Sequence, residues 1–455
     1  MKNFELRSIV AATSAVLALS FAGSALADST DDIVNALIAK GVLTEEEGSL
    51  LFKGRAGEKE AIAKKEEKDI KVSHGSKGFR FETADGKFQT NLLWRAQMRF
   101  TSPTTGDPRQ LSNFNDNSQN TFEGRRLRMK IGGHAYQPWL KYYFEVDLQP
   151  TRDSDDSSAN ASSRVIDWRA DIAKYDFLGL RVGQWKINYN RERVDSSGRQ
   201  QFVERSIANR VFTVDRQVGV QLQGHLFKGT AADMRYNAGV YTGEGRGVSN
   251  DDNNLMTMAR LQWNFLGRDL AFKQTDVEFT EKPTGSFSLA TASNTGKCTR
   301  WSSSGCGNLD GFAKASAAAN GQFDVDQWTQ GSAFKYRGFS FQQEFHKKTV
   351  DDNVNSTSSD LTGGYVQAGY FFNNLISAIP KELELATRYS YVKEPNSTDI
   401  DKDNRREEFT LAANWFMAGH NNKITADFSH LTLDDGFVNK SDSEDRVRVQ
   451  WDVSF

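Results

Sequence analysis

The last eleven residues, Asp445 to Phe455, read D-R-V-R-V-Q-W-D-V-S-F. Set out as a strand, Val447, Val449, Trp451, Val453 and Phe455 point one way, and Arg446, Arg448, Gln450, Asp452 and Ser454 point the other. One face is apolar and aromatic, the other polar and charged. A half-buried strand of an aqueous protein shows the same period of two. Ending on the aromatic residue itself favours a strand that closes a barrel in an outer membrane, with a lipid-facing stripe, a lumen stripe and an interface aromatic.

The other end agrees. Lys2 and Arg7 precede the apolar run Ile9 to Ala22, and Ala25-Leu26-Ala27 is a small-x-small cleavage pattern. Residues 1–27 are therefore expected to be a signal peptide, too short in its apolar run to anchor the chain. The net charge is −2, near −3 without that segment, which argues against a nucleic-acid partner. Seven prolines, 36 glycines and 52 aromatic residues suit an all-β chain with many turns and interface aromatics. The two cysteines, Cys298 and Cys306, lie in a Gly/Ser-rich stretch. In an exported chain they are expected to form a disulfide rather than a metal site.

Residues 28–72 differ from the rest. Ile33, Ala36 and Leu37 have helical spacing, Gly41 breaks it, and Thr44 with Glu47 makes a capping box before Leu50 and Leu51. From Glu58 to Lys71 the chain is almost entirely charged. Two short periplasmic helices and a solvated spacer are expected, either touching sister subunits or moving freely.

From Lys87 the strand pattern takes over. Phe88, Thr90, Leu92, Trp94, Ala96, Met98 and Phe100 share one face, and Gln89, Asn91, Arg95, Gln97 and Arg99 the other. Fifteen similar segments follow, at 121–136, 139–149, 163–176, 179–188, 216–228, 231–243, 255–267, 284–293, 322–337, 338–350, 362–374, 382–394, 405–418, 422–433 and 443–455. Short joins alternate with long ones, except for the long 268–283. An all-β, 16-stranded antiparallel barrel over 73–455 follows, with short periplasmic turns and long outer loops. Paired soluble sandwiches would need a domain boundary, and the strand region offers none.

Lumen-facing charges decide what such a pore passes. In Phe122 to His134, Leu127, Met129 and Ile131 take the lipid side, which turns Arg126, Arg128 and Lys130 inward. A column of cations attracts anions; alternatively, these residues pair with Glu145 and Asp147 of the next strand. The long join 189–215, entered as an inward third loop, carries Arg191, Arg193, Arg199, Arg205 and Arg210, with Arg216 following, against Glu192, Asp195 and Glu204. Arg446 and Arg448, offset by Asp445 and Asp452, join Arg95 and Arg99 where the last strand meets the first.

Enzyme signatures are missing. The six histidines show no metal spacing and there is no G-x-S-x-G elbow. Gly243 to Gly247, G-E-G-R-G, lacks the helix and Lys-Ser/Thr of a phosphate loop and reads as a flexible outer loop. No cofactor is called for.

F-E-G-R-R-L-R-M-K-I-G-G (122–133) resembles the second-strand signature of the phosphate-selective porin O and P family. V-I-D-W-R-A (165–170), G-L-R-V-G-Q-W-K (179–186), F-V-E-R-S (202–206) and R-Q-V-G-V (216–220) follow in that family's order. The resemblance implies a homotrimeric outer-membrane porin for small inorganic anions such as phosphate. By position it places Arg125, Arg126 and Arg128 in a basic cluster, Gln184 and Lys186 on the wall before the constriction, and Arg205 within it. The rival expectations are a general or cation-tolerant porin, and a plugged scaffold or adhesin.

Overall fold

The computed structural model describes residues 29–54, 70–103, 106–114, 120–149, 164–248, 250, 252–302 and 305–455. The expected signal peptide, most of the charged spacer and the outer join at 150–162 lie outside these residues. Two compact units emerge. In the first, helix α1 (Ser29–Ala39) is followed by a second helix over 45–54. Thr44 and Glu47 cap that helix reciprocally: the Glu47 amide donates to Thr44 Oγ1 at 3.2 Å, and the Thr44 amide to Glu47 Oε2 at 2.9 Å.

The second unit is the barrel. Its wall strands are β1 (Gln89–Ser102), β2 (Thr121–Ala135), β3 (Gln137–Asp147), β4 (Arg164–Ile172), β5 (Gly179–Lys186) and β6 (Arg216–Leu226). Then come β7 (Met234–Tyr241), β8 (Met256–Trp263), β9 (Thr284–Gly296), β10 (Phe323–Tyr336) and β11 (Phe339–Asp352). The last five are β12 (Thr357–Tyr370), β13 (Leu383–Pro395), β14 (Asp403–Phe416), β15 (Asn422–Asp435) and β16 (Lys440–Ser454). Each pairs antiparallel with its neighbour in sequence, and β16 pairs with β1 from Val447 opposite Ser102 to Ser454 opposite Arg95. The result is a closed 16-stranded antiparallel barrel. Phe455 and Trp94 complete the seam by exchanging backbone bonds of 2.8 and 3.0 Å.

Alternation places the side chains as the terminal stretch implies. On β16, Val447 and Trp451 are 44% and 46% exposed, while Arg446 and Arg448 are 4% exposed. Two further strands, Ile70–Gly75 and Gly78–Thr83, precede the wall, and Phe79 pairs with Leu92 beyond the end of β16. The sequence reading does not contain them: a short polar hairpin gains its order from the strand edge it finds, not from its own pattern.

Strand β2 also departs from simple alternation. Gln97 pairs with Arg126 but Met98 pairs with Gly124, so Arg125 is the extra residue of a β-bulge. The bulge reverses the phase of the strand: Leu127 and Phe122, five apart, both face outward, and Arg125 and Arg126 both reach the lumen side.

Closure is reinforced inside the seam. The Arg95 guanidinium donates to both Asp452 oxygens at 3.0 and 2.8 Å, with both side chains almost fully buried. Asp452→Asn leaves that cation without its charge partner. The expected loss is about 3 kcal/mol of unfolding free energy, read from urea titration of tryptophan fluorescence in lipid vesicles.

Candidate functional site

The segment between β5 and β6, residues 187–215, lies inside the barrel. Ser197 accepts from Arg95 and Gln97 on β1. Across the lumen from the loop's root at β5 and β6, Asn414 of β14 donates to the Gln201 carbonyl at 2.8 Å, and the Val203 amide donates to Asp427 of β15 at 3.0 Å. Glu344 of β11 accepts the backbone amides of Arg191 and Glu192. The loop thus bridges opposite sides of the lumen. Two inward glycines make room for it: a Cβ on Gly369 would lie 2.0 Å from Gln201 Nε2, and one on Gly363 would lie 2.4 Å from the Phe212 ring.

The bridge is braced at both ends. The long join after β8 folds inward, which accounts for its unexpected length. Gln274 accepts from the Gln201 amide at 2.8 Å, the Ala271 carbonyl accepts from Arg191, and the Arg191 guanidinium lies 5.2 Å from the centre of the Phe272 ring. On the outer side, Cys298 and Cys306 are disulfide-bonded across a small hairpin that carries Trp301. Trp301 joins Phe212 and Val214 of the third loop in an apolar cluster with inward Val325, Val350 and Leu361. Lys348 Nζ fastens both loops to the wall by donating to the Val211 and Thr299 carbonyls. The segment Gly243 to Gly247 is also held, not free: the Gly245 amide donates to Gln217 at 2.9 Å and the Gly247 amide to Gln184 at 2.6 Å.

Most cations singled out in the sequence meet carboxylates here. Glu204 accepts from Arg99, Arg125 and Arg126 at 2.7, 3.0 and 3.2 Å. Arg128 binds Glu145 at 2.9 Å and Asp147 at 3.1 Å, and Lys130 stands 3.9 Å from Glu145. Arg193 pairs with Asp215, and Arg216 with Asp167 at 2.8 Å. Arg448 grips Asp427 with two bonds of 2.8 Å, and Arg446 approaches Glu408 at 3.4 Å and Asp107 at 3.6 Å. The offset expected from Asp445 and Asp452 is therefore corrected. Asp452 serves Arg95, and Asp445 binds His430 on the outer face. Arg205 donates to the Glu192 and Asp195 carbonyls, and Lys186 to the Arg193 carbonyl. Arg210 is half-buried, and its Nη1 has no hydrogen-bond partner among the described residues.

Arg199 and Lys130 meet elsewhere, in a cavity of about 570 Å³ on the short-turn side. Lys77, Arg95, Lys141 and Arg169 line it with them, and Asp171 is the one carboxylate among its lining residues. Lys77 and Arg169 escaped the sequence reading because the strand pattern marks which side chains face inward, not which of them share a space. The acids Asp167, Asp215, Glu344 and Asp427 were missed for the same reason.

Charge balance tunes the loop's acids. Burial pushes the Glu204 carboxyl up, but Arg126, Arg99 and Arg125 together hold it well below the usual carboxylate range. Asp195 is fully buried and neither of its oxygens has a hydrogen-bond partner among the described residues. Burial pushes its carboxyl up to about 6, although Arg191, Lys335 and Arg205 pull it down.

A closed barrel with a loop folded across its lumen defines an outer-membrane porin, a channel of the bacterial outer membrane. The family model of phosphate-selective porin O and P matches residues 101–455, and the chain belongs to that family. No curated protein matches the chain. Among solved structures, a loop-deleted OmpT of Vibrio cholerae has 9% identity and a TM-score of 0.52, covering 80% of this chain and 99% of its own. OmpF of Salmonella typhi, in complex with daunomycin, has 13% identity and a TM-score of 0.51, covering 81% and 98%. An anion-selective porin from Comamonas acidovorans has 10% identity and a TM-score of 0.50, covering 80% and 99%. At these identities the likeness is one of fold.

Glu204→Gln frees three guanidinium groups from their shared acid. It should raise the anion-to-cation permeability ratio about twofold at low salt, where screening is weak, as read from the reversal potential across a planar bilayer. Asp195 holds its proton more tightly in the packed loop than its ordinary value of 3.8 allows. The packed loop is therefore favoured by acid and loses that stability as pH rises from about 4 to about 6. Conductance should rise across this interval in the wild type and stay flat in Asp195→Asn.

Proposed function

We propose that the channel prefers anions and passes small, hydrated inorganic anions such as phosphate by passive diffusion. The supporting observation is the cavity on the short-turn side: of its six basic lining residues, Arg95, Lys130 and Arg169 stand beside Asp452, Glu145 and Asp171, and Lys77, Lys141 and Arg199 have no ion-pair partner among the described residues. Low-dielectric walls focus the field of such a group and raise the local anion concentration. The third loop directs traffic toward this sector. Its apolar cluster with the β8 to β13 wall fills the other side of the lumen, including Met258, Val350 and Val392. Carboxylates such as Glu204, Glu145 and Asp427 hold neighbouring cations in place. We also propose the homotrimer as the assembly, since the family resemblance implies it.

A second reading, a general porin with little preference, draws support from the pairing of Arg128, Arg193, Arg216 and Arg448 with acids. Reversal potentials in a salt gradient separate the two. Lys141→Glu combined with Arg126→Glu and Arg128→Glu should lower the anion-to-cation ratio at least threefold. A ratio below one in the wild type would refute the anion reading, and zero conductance would favour a plugged scaffold.

A further inference from the structure

The lipid-facing side of β10 and β11 carries a polar group out of keeping with its surroundings. Alternation on these strands is unbroken: Gln327, Thr329, Gln342 and Glu344 are buried inward, and the residues between them face out. The outward set includes Gln330, Ser332 and Gln343. Gln343 Nε2 donates to Gln330 Oε1 at 3.0 Å and to Ser332 Oγ at 3.1 Å, and Gln330 Nε2 donates to Ser332 Oγ at 3.1 Å. Around them the outward positions are apolar. Leu289 lies opposite Gln330, Phe345 likewise on the other side, Val366 opposite Gln343, and Phe341 one outward step below it.

Outward Trp328 and Phe345 lie one step toward the long loops and Phe334 and Phe341 one step toward the short turns, so the cluster lies between two aromatic rows of the lipid-facing side, where amides and hydroxyls have no water to bond. Polar side chains at such depth act between proteins. The donor and acceptor inventory says which protein. After the three internal bonds, Gln330 keeps one N–H, Ser332 keeps its O–H, and Gln343 keeps its carbonyl oxygen. Donor and acceptor on one patch are self-complementary under a two-fold axis, so that Gln330 of each copy meets Gln343 of the other.

We infer that the β10–β11 face is a contact between two copies of this chain, with Gln330, Ser332 and Gln343 as its polar centre. A two-fold contact cannot close a three-fold ring. It joins two barrels, or two trimers, and stands whether or not the channel prefers anions.

The chain's two cysteines are already bonded to each other, so a new cysteine is a unique thiol. Gln343→Cys in native outer membranes should give a covalent pair of chains on mild oxidation. Leu411→Cys, outward on β14, should give at most a tenth of that yield. Equal yields, or a product with a different protein, would overturn the proposal. Folding of each variant is checked by heat-modifiable gel mobility. Independently, the Gln330→Leu/Gln343→Leu double variant should need about tenfold more protein than the wild type to form pairs in lipid nanodiscs. An unchanged pairing curve would also overturn it.

Discussion

A bilayer core offers backbone amides and carbonyls nothing to bond, and the rest of this structure depends on that constraint. Strands satisfy it only when the sheet has no edge. Here the edge is removed where β16 meets β1, and Phe455 and Trp94 exchange the final backbone bonds. Closure then forces every strand to show one face to lipid and one to the lumen. A slip of one residue would move Arg446 and Arg448 into hydrocarbon and Val447 and Val449 into the pore.

Confinement has its own cost. Arginines turned into a narrow space repel one another unless carboxylates stand among them, and the lumen is organised around such partners. Glu204 gathers three arginines from β1 and β2, and Asp427, Asp167, Asp215 and Glu408 hold others. Buried pairs of this kind contribute modest net stability, but losing one member is costly. Their arrangement also fixes the third loop, because Glu204 and Asp215 belong to the loop while most of their partners belong to the wall. Charge compensation and the shape of the constriction are therefore one feature. The cavity toward the short turns departs from this balance, and its excess of cations carries the proposed selectivity.

Much of the fold was legible because period-two alternation reports directly on a closed wall. The sixteen segments, the inward faces of β1 and β16, the inward phase of Arg126 to Lys130 and the disulfide candidates follow from local pattern. The bulge at Arg125 was not legible, since one extra residue in a run of arginines leaves no mark on composition. The long join at 268–283 looked like an exception to the scheme, and its reason lies in Gln274 and Phe272 bracing a loop far away in sequence. Gly363 and Gly369 offered a faint signal: glycine inside a strand often marks a close approach.

The sequence by itself determined that this chain forms an outer-membrane-type barrel, because strand faces repeat every two residues and each residue's side is set by its neighbours. Tertiary structure alone decided which charges meet. Arg95 and Asp452 stand 357 positions apart, as do other pairs at similar remove, and they touch only because the sheet closes on itself. Ion pairing depends on distance in space, and no local pattern encodes it. Hence the inward cations could be named from the sequence, while their partners, and the cavity left with cations to spare, appear only once the wall is closed and the third loop lies across it.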